Sequence, residues 1–85
     1  MNPDDIKALI TTGLPTCQVQ VSGDGSHFEA IVIGDMFADM TAVKKQQAVY
    51  ATVNDQITSG AVHALSIKTY TPDEWEKAQK LRVSS

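Results

Sequence analysis

The chain has 85 residues, 42% of them hydrophobic and 20% charged, with a formal net charge of -3. That is the composition of one ordinary globular domain over residues 1–85, and at this length only about 60–65% of the unfolded surface is buried, which excludes a deep enclosed active site. The acidic balance argues against a general polyanion binder, no apolar run reaches membrane-spanning length, and the single cysteine, Cys17, excludes an internal disulfide.

Asn2-Pro3-Asp4-Asp5 opens a first helix, with Asn2 as N-cap, Pro3 at the first helical position and two acids at the positive end of the dipole. Ile6, Leu9 and Ile10 give its apolar stripe, and Gly13 with Pro15 stops it. Thr16 to Ser22 alternates, with Cys17, Val19 and Val21 on one face, and reads as a strand. Gly23-Asp24-Gly25-Ser26 turns the chain, and His27 to Ile33 returns as the second strand of a hairpin. Apolar residues on both faces of the return (Phe28, Ala30 and Val32 against Ile31 and Ile33) mark it as the more central strand.

Gly34 to Met40 is a compact connection with room for one helical turn. Thr41 then caps a helix from about Ala42 to Ile57, whose predicted inward stripe is Ala42, Val43, Gln46, Val49, Tyr50, Val53 and Ile57, with Lys44, Ala48, Ala51 and Asp55 pointing away. Gly60 ends it. Val62 to Thr69 alternates as a third strand, His63, Leu65, Ile67 and Thr69 on one face and Val62, Ala64, Ser66 and Lys68 on the other. Thr71-Pro72-Asp73-Glu74 forms a capping box with proline at the first helical position, stapled by Tyr70 and Trp75. The last helix runs from Pro72 to about Leu81, and Arg82 to Ser85 read as a frayed tail. The order α-β-β-α-β-α is that of an α+β domain, helices layered on a small three-stranded sheet. The N-terminus lacks the regions of a signal peptide, so a cytoplasmic location is the expectation.

Few residues offer chemistry. His63, at the entry of the third strand, is the sharpest candidate; its other reading is a half-buried strand-end histidine satisfied by one hydrogen bond. His27 sits on the shoulder of the hairpin, where a loop residue is either functional or idle. Cys17, alternating with Val19 and Val21, reads as a small core hydrophobe. No zinc-type spacing of His and Cys occurs, so a metal held by either histidine needs donors from another molecule. The carboxylates are cap and turn residues with no acid–base pairing, and no enzyme is expected. Lys44 and Lys45 are the obvious cationic pair, but they diverge by 100° on the helix and no G-x-x-G phosphate clamp is present.

Val62-His63-Ala64-Leu65 running into Thr71-Pro72-Asp73-Glu74-Trp75, with Val49-Tyr50 in the long helix and the order α-β-β-α-β-α, resembles the BolA/IbaG family, its bacterial IbaG branch above all. The resemblance implies a fold like the class II KH domain, a role in stress response, and a monothiol glutaredoxin as partner with which a [2Fe-2S] cluster is shared. It implies His63 as one cluster ligand and, from the slot before a Phe in the hairpin loop, His27 as a second. The glutaredoxin cysteine and a glutathione thiolate would complete the set, and iron–sulfur apo-proteins would be possible clients. Where family members often read Phe-x-Gly-Lys-Ser and then Arg-His-Arg, this chain has Phe37-Ala38-Asp39-Met40-Thr41 and Lys45-Gln46-Gln47, which weakens a DNA-binding role. Three readings stand side by side: cluster handling with a glutaredoxin, a KH-like nucleic-acid-binding regulator using Lys44 and Lys45, and a metal-free protein adaptor.

Overall fold

The computed structural model describes residues 2–24, 27–62 and 64–83. Its elements are α1 (Pro3–Gly13), β1 (Gln18–Gly23), β2 (His27–Ile33), a 3-10 turn (Asp35–Asp39), α2 (Ala42–Thr58), β3 (Ala64–Tyr70) and α3 (Pro72–Val83), the α-β-β-α-β-α order expected. β1 pairs antiparallel with β2, β3 pairs parallel with β2, and the order across the sheet is β1-β2-β3. β2 is therefore central, and Val32 and Ile33, on its opposite faces, are both buried. No helix among the described residues is long and apolar enough to cross a membrane.

The core lies between one sheet face and the first two helices. Ile6 and Ile10 of α1, Val49 and Val53 of α2, and Phe37 of the 3-10 turn are wholly buried, against Val19, Phe28, Ala30 and Val32 of the sheet. α1 begins with a reciprocal cap: the Asn2 side chain accepts the Asp5 N–H at 3.0 Å, and the Asp5 carboxylate accepts the Asn2 N–H at 3.1 Å. β1 starts later than the alternation predicted, because the Cys17 N–H is spent on Leu14 O in the turn after α1. Thr41 caps α2 by accepting the Lys44 N–H, and Gly60, at φ +82°, ends it in the left-handed region that glycine favours.

The predicted inward stripe of α2 is corrected. Val49 and Val53 are buried, but Val43 is 65% exposed and Tyr50 38% exposed, and Ala42 is exposed as well. The buried side of the helix is centred instead between Val49 and Thr52, so that Ala48, assigned to solvent, is half-buried. The reason is the position of β3 at the free edge of the sheet. Gln46 Nε2 donates to Ile67 O at 2.9 Å and Tyr50 OH donates to Leu65 O at 3.3 Å. Tyr70 O accepts from Gly34 N across the β2 side, so the odd-numbered carbonyls of β3 face the free edge. Two α2 side chains read as core thus occupy edge carbonyls that would otherwise invite another strand.

Val62 is the second correction. Alternation carried back along the third strand puts it with Ala64 and Ser66, away from the core; it is 3% exposed and belongs to the core. Its N–H is bonded to Gln56 O at the end of α2, so the strand pleat does not extend back to it and the ladder begins at Ala64.

At the other end of β3 the chain enters α3 as predicted. The Thr71 N–H donates to Glu74 Oε1 at 2.8 Å and the Glu74 N–H to Thr71 Oγ1 at 3.2 Å, while the Tyr70 and Trp75 rings lie 5.2 Å apart. The hydrogen bond from the Thr71 amide is the main cause holding the Glu74 carboxyl below its ordinary range, with Lys45 and Lys77 adding to it. A lowered folded-state pKa means that this support is present above the ordinary carboxylate range and is lost as the pH falls through the folded value. Thr71→Ala is expected to cost about 1 kcal/mol in urea denaturation at neutral pH, with the Glu74 carboxyl still held low in NMR titration because the residue-71 amide that lowers it most is retained. α3 continues to Val83, so Arg82 and Val83 are helical rather than part of a tail.

Candidate functional site

His27 is the first residue of β2 and is exposed. Two short hydrogen bonds set its backbone: its N–H donates to Asp24 Oδ1 at 3.0 Å, and the Asp24 N–H donates to His27 O at 3.2 Å. Asp24, read from sequence as part of the turn, makes it through its own side chain and amide. The strands close tightly here, since a Cβ on Gly23 would stand 2.5 Å from the His27 carbonyl oxygen. His27 alternates with Glu29 and Ile31 on the open face of the sheet, opposite Phe28 and Ala30 on the core face. On the same open face Lys68 Nζ lies 3.8 Å from Glu29 Oε1, both half-exposed, an ion pair of about 0–1 kcal/mol.

In the parallel ladder His27 is the register partner of Ala64, the residue after His63 in sequence. His63 itself lies outside the described residues, as do Gly25 and Ser26 of the turn. Its chain neighbours are both placed: Val62 is anchored in the core and Ala64 opens β3. The capping box at Thr71 is at the opposite end of β3 from Ala64, so whatever rigidity that joint has, it is not what holds the His27 end of the sheet.

Cys17 is 8% exposed, and its Sγ is 3.4 Å from Met36 Sδ. Burial pushes its thiol up from the ordinary range, against a smaller opposite effect of a hydrogen bond with Thr16. A thiol kept protonated among apolar atoms is a packing group, not a nucleophile or a metal ligand. Native protein is expected to react with a thiol reagent only at the rate of opening, with full labelling after unfolding; rapid labelling of the native chain would contradict this placement.

Lys44 is exposed and Lys45 half-buried, and Lys45 acts on the Glu74 carboxylate of α3. The two side chains therefore serve different surroundings. Among the described residues no three His, Cys, Asp or Glu side chains stand together as a metal site.

The fold and site define a class first: an α+β domain with two helices, α1 and α2, packed on one face of a mixed three-stranded sheet, and an exposed imidazole at one end of that sheet. Comparison with known proteins then fixes the family. The family described as BolA-like protein matches residues 12–74. The chain is 44% identical over 81 residues to the acid stress protein IbaG of Escherichia coli K12, covering 95% of this chain and 96% of that one. The structure of a bolA protein homologue from Coxiella burnetii superposes with a TM-score of 0.79 at 44% identity, covering 89% of this chain and 97% of that one. Yeast Fra2 superposes with a TM-score of 0.71 at 26% identity, covering 91% and 86%. The chain belongs to the BolA family, and its fold is the one seen in BolA structures.

Proposed function

We propose that this protein acts with a monothiol glutaredoxin in handling a [2Fe-2S] cluster as cargo, without an enzymatic step of its own, and that the role belongs to stress response. The name of the Escherichia coli relative, acid stress protein, supports the last part. The observation that carries the reading is the exposed imidazole of His27, whose register partner Ala64 follows His63 in sequence. Neutral imidazole is a suitable donor to iron, and His63, the residue before Ala64 in sequence, is the second donor this reading calls for.

Family membership, the exclusion of Cys17 by burial and the incomplete donor set among the described residues all favour a ligand set completed from outside, by a glutaredoxin cysteine and a glutathione thiolate. Imidazole in place of thiolate raises a cluster's potential, and because only the neutral ring ligates, acid releases it. A cytoplasmic location accords with this cargo. Iron–sulfur apo-proteins are the clients this role implies. Nucleic-acid binding through Lys44 and Lys45 has less support, since the two lysines diverge by about 100° on α2 and duplex binding needs several phosphate contacts from one face.

The test is anaerobic reconstitution of the chain with a monothiol glutaredoxin and glutathione, followed by visible absorption and circular dichroism. A one-to-one complex with a spectrum distinct from that of the glutaredoxin's own cluster is expected. A spectrum identical to the glutaredoxin alone, with no complex, overturns the proposal.

A further inference from the structure

The two large apolar side chains exposed among the described residues, Val43 and Tyr50, lie on the same face of α2 and line one open groove. With Gln47 and Asn54, which line it too, they recur at spacings of four, three and four residues, the repeat of a two-helix seam. The seam spans roughly 16 Å of helix. No charged residue lines it, so a copy of the same surface can face it without like charges meeting at the centre.

We infer that α2 is a self-association surface, on which a second copy of this chain docks antiparallel about a two-fold axis. An isologous contact puts the same patch on both partners. Antiparallel pairing then sets Val43 against the partner's Asn54 and Gln47 against the partner's Tyr50. Lys44 and Asp55 are both exposed and lie on one flank of the seam, within about 20° of each other on the helix. In an antiparallel pair that flank meets its own copy running the other way, so Lys44 comes opposite the partner's Asp55. Head-to-head pairing would lose that match. The polar seam residues fix register at a cost in stability, and a contact two to three turns long falls among small, transient interfaces. The dimer is therefore weak and concentration-dependent. This inference is independent of the proposed cluster role, since it concerns the cluster-free chain.

Sedimentation equilibrium of the cluster-free protein from about 10 µM to about 1 mM, a range suited to weak association, tests it. The wild type should move from monomer to dimer across the range. Val43→Asp, a change at an exposed position that leaves the circular dichroism spectrum intact, should weaken association at least tenfold. Lys44→Asp should weaken it about two- to fivefold, and the combined Lys44→Asp, Asp55→Lys exchange should restore it. A wild type that stays monomeric throughout, or a dimer unaffected by Val43→Asp, overturns the inference. A groove that takes a single-stranded oligonucleotide while the chain stays monomeric would assign the face to nucleic acid instead, and equally overturns it.

Discussion

His63→Ala is expected to abolish the mixed thiolate–imidazole cluster spectrum of the glutaredoxin complex while leaving the fold of the chain unchanged. Val62 has its place in the core and Ala64 is held by the ladder to β2, and no other His or Cys stands near position 63 in sequence to replace the lost donor. His27→Ala is expected to leave a weaker and spectrally altered cluster, because an exposed ligand can be replaced by water or an added thiol. His27→Cys should restore binding with a shifted spectrum, thiolate replacing imidazole. Acidification through the range in which imidazole takes up a proton should release the cluster from the wild type. It should do so less readily from His27→Cys, which has one imidazole fewer to protonate. The four proteins, reconstituted side by side and scanned from neutral to mildly acid pH, give the comparison. An unchanged spectrum in His63→Ala would remove this residue from the site and leave the chain a metal-free adaptor.

Phe37→Ala is expected to remove about 3–5 kcal/mol of stability, a large part of the ~5–15 kcal/mol that a domain of this kind possesses. Phe37 is 0% exposed and sits in the 3-10 turn between β2 and α2. It belongs to one buried cluster with Ile6 and Ile10 of α1 and Val49 and Val53 of α2. Its loss would open a cavity in the core that the flexible Met36 and Met40, packed against the same cluster, can fill only in part. Val43→Ala, by contrast, should change stability by less than about 0.5 kcal/mol, because Val43 is 65% exposed. Both positions are apolar in sequence, and only one of them supports the core. Urea denaturation followed by Trp75 fluorescence would show a large fall in midpoint for Phe37→Ala with a similar slope. A loss below about 1 kcal/mol would mean that the turn is not the keystone its burial indicates.

The sequence by itself determined the elements and their order. Asn2-Pro3, Thr41, Gly60 and the Thr71–Glu74 box mark helix ends through hydrogen bonds made within a few residues, and such bonds are written in local sequence. The apolar residues on both faces of β2 were enough to place it in the middle of the sheet. The Val-His-Ala-Leu and Thr-Pro-Asp-Glu-Trp stretches pointed to the family that the comparison then showed.

Only the tertiary structure decided which side of α2 is buried. Periodicity gives the angle between apolar residues on a helix but not which arc the rest of the molecule covers, and here β3 at the sheet edge takes the Gln46 and Tyr50 side chains as hydrogen-bond donors and leaves Val43 outside. The same holds for Val62, whose place in the core follows from its bond to Gln56 at the end of α2 rather than from the strand it precedes. It holds for His27 too: its pairing with Ala64 depends on the parallel crossover through α2, a contact between residues far apart in the chain. Strand pairing over that distance is set by burial of the whole sheet face, which no local spacing encodes.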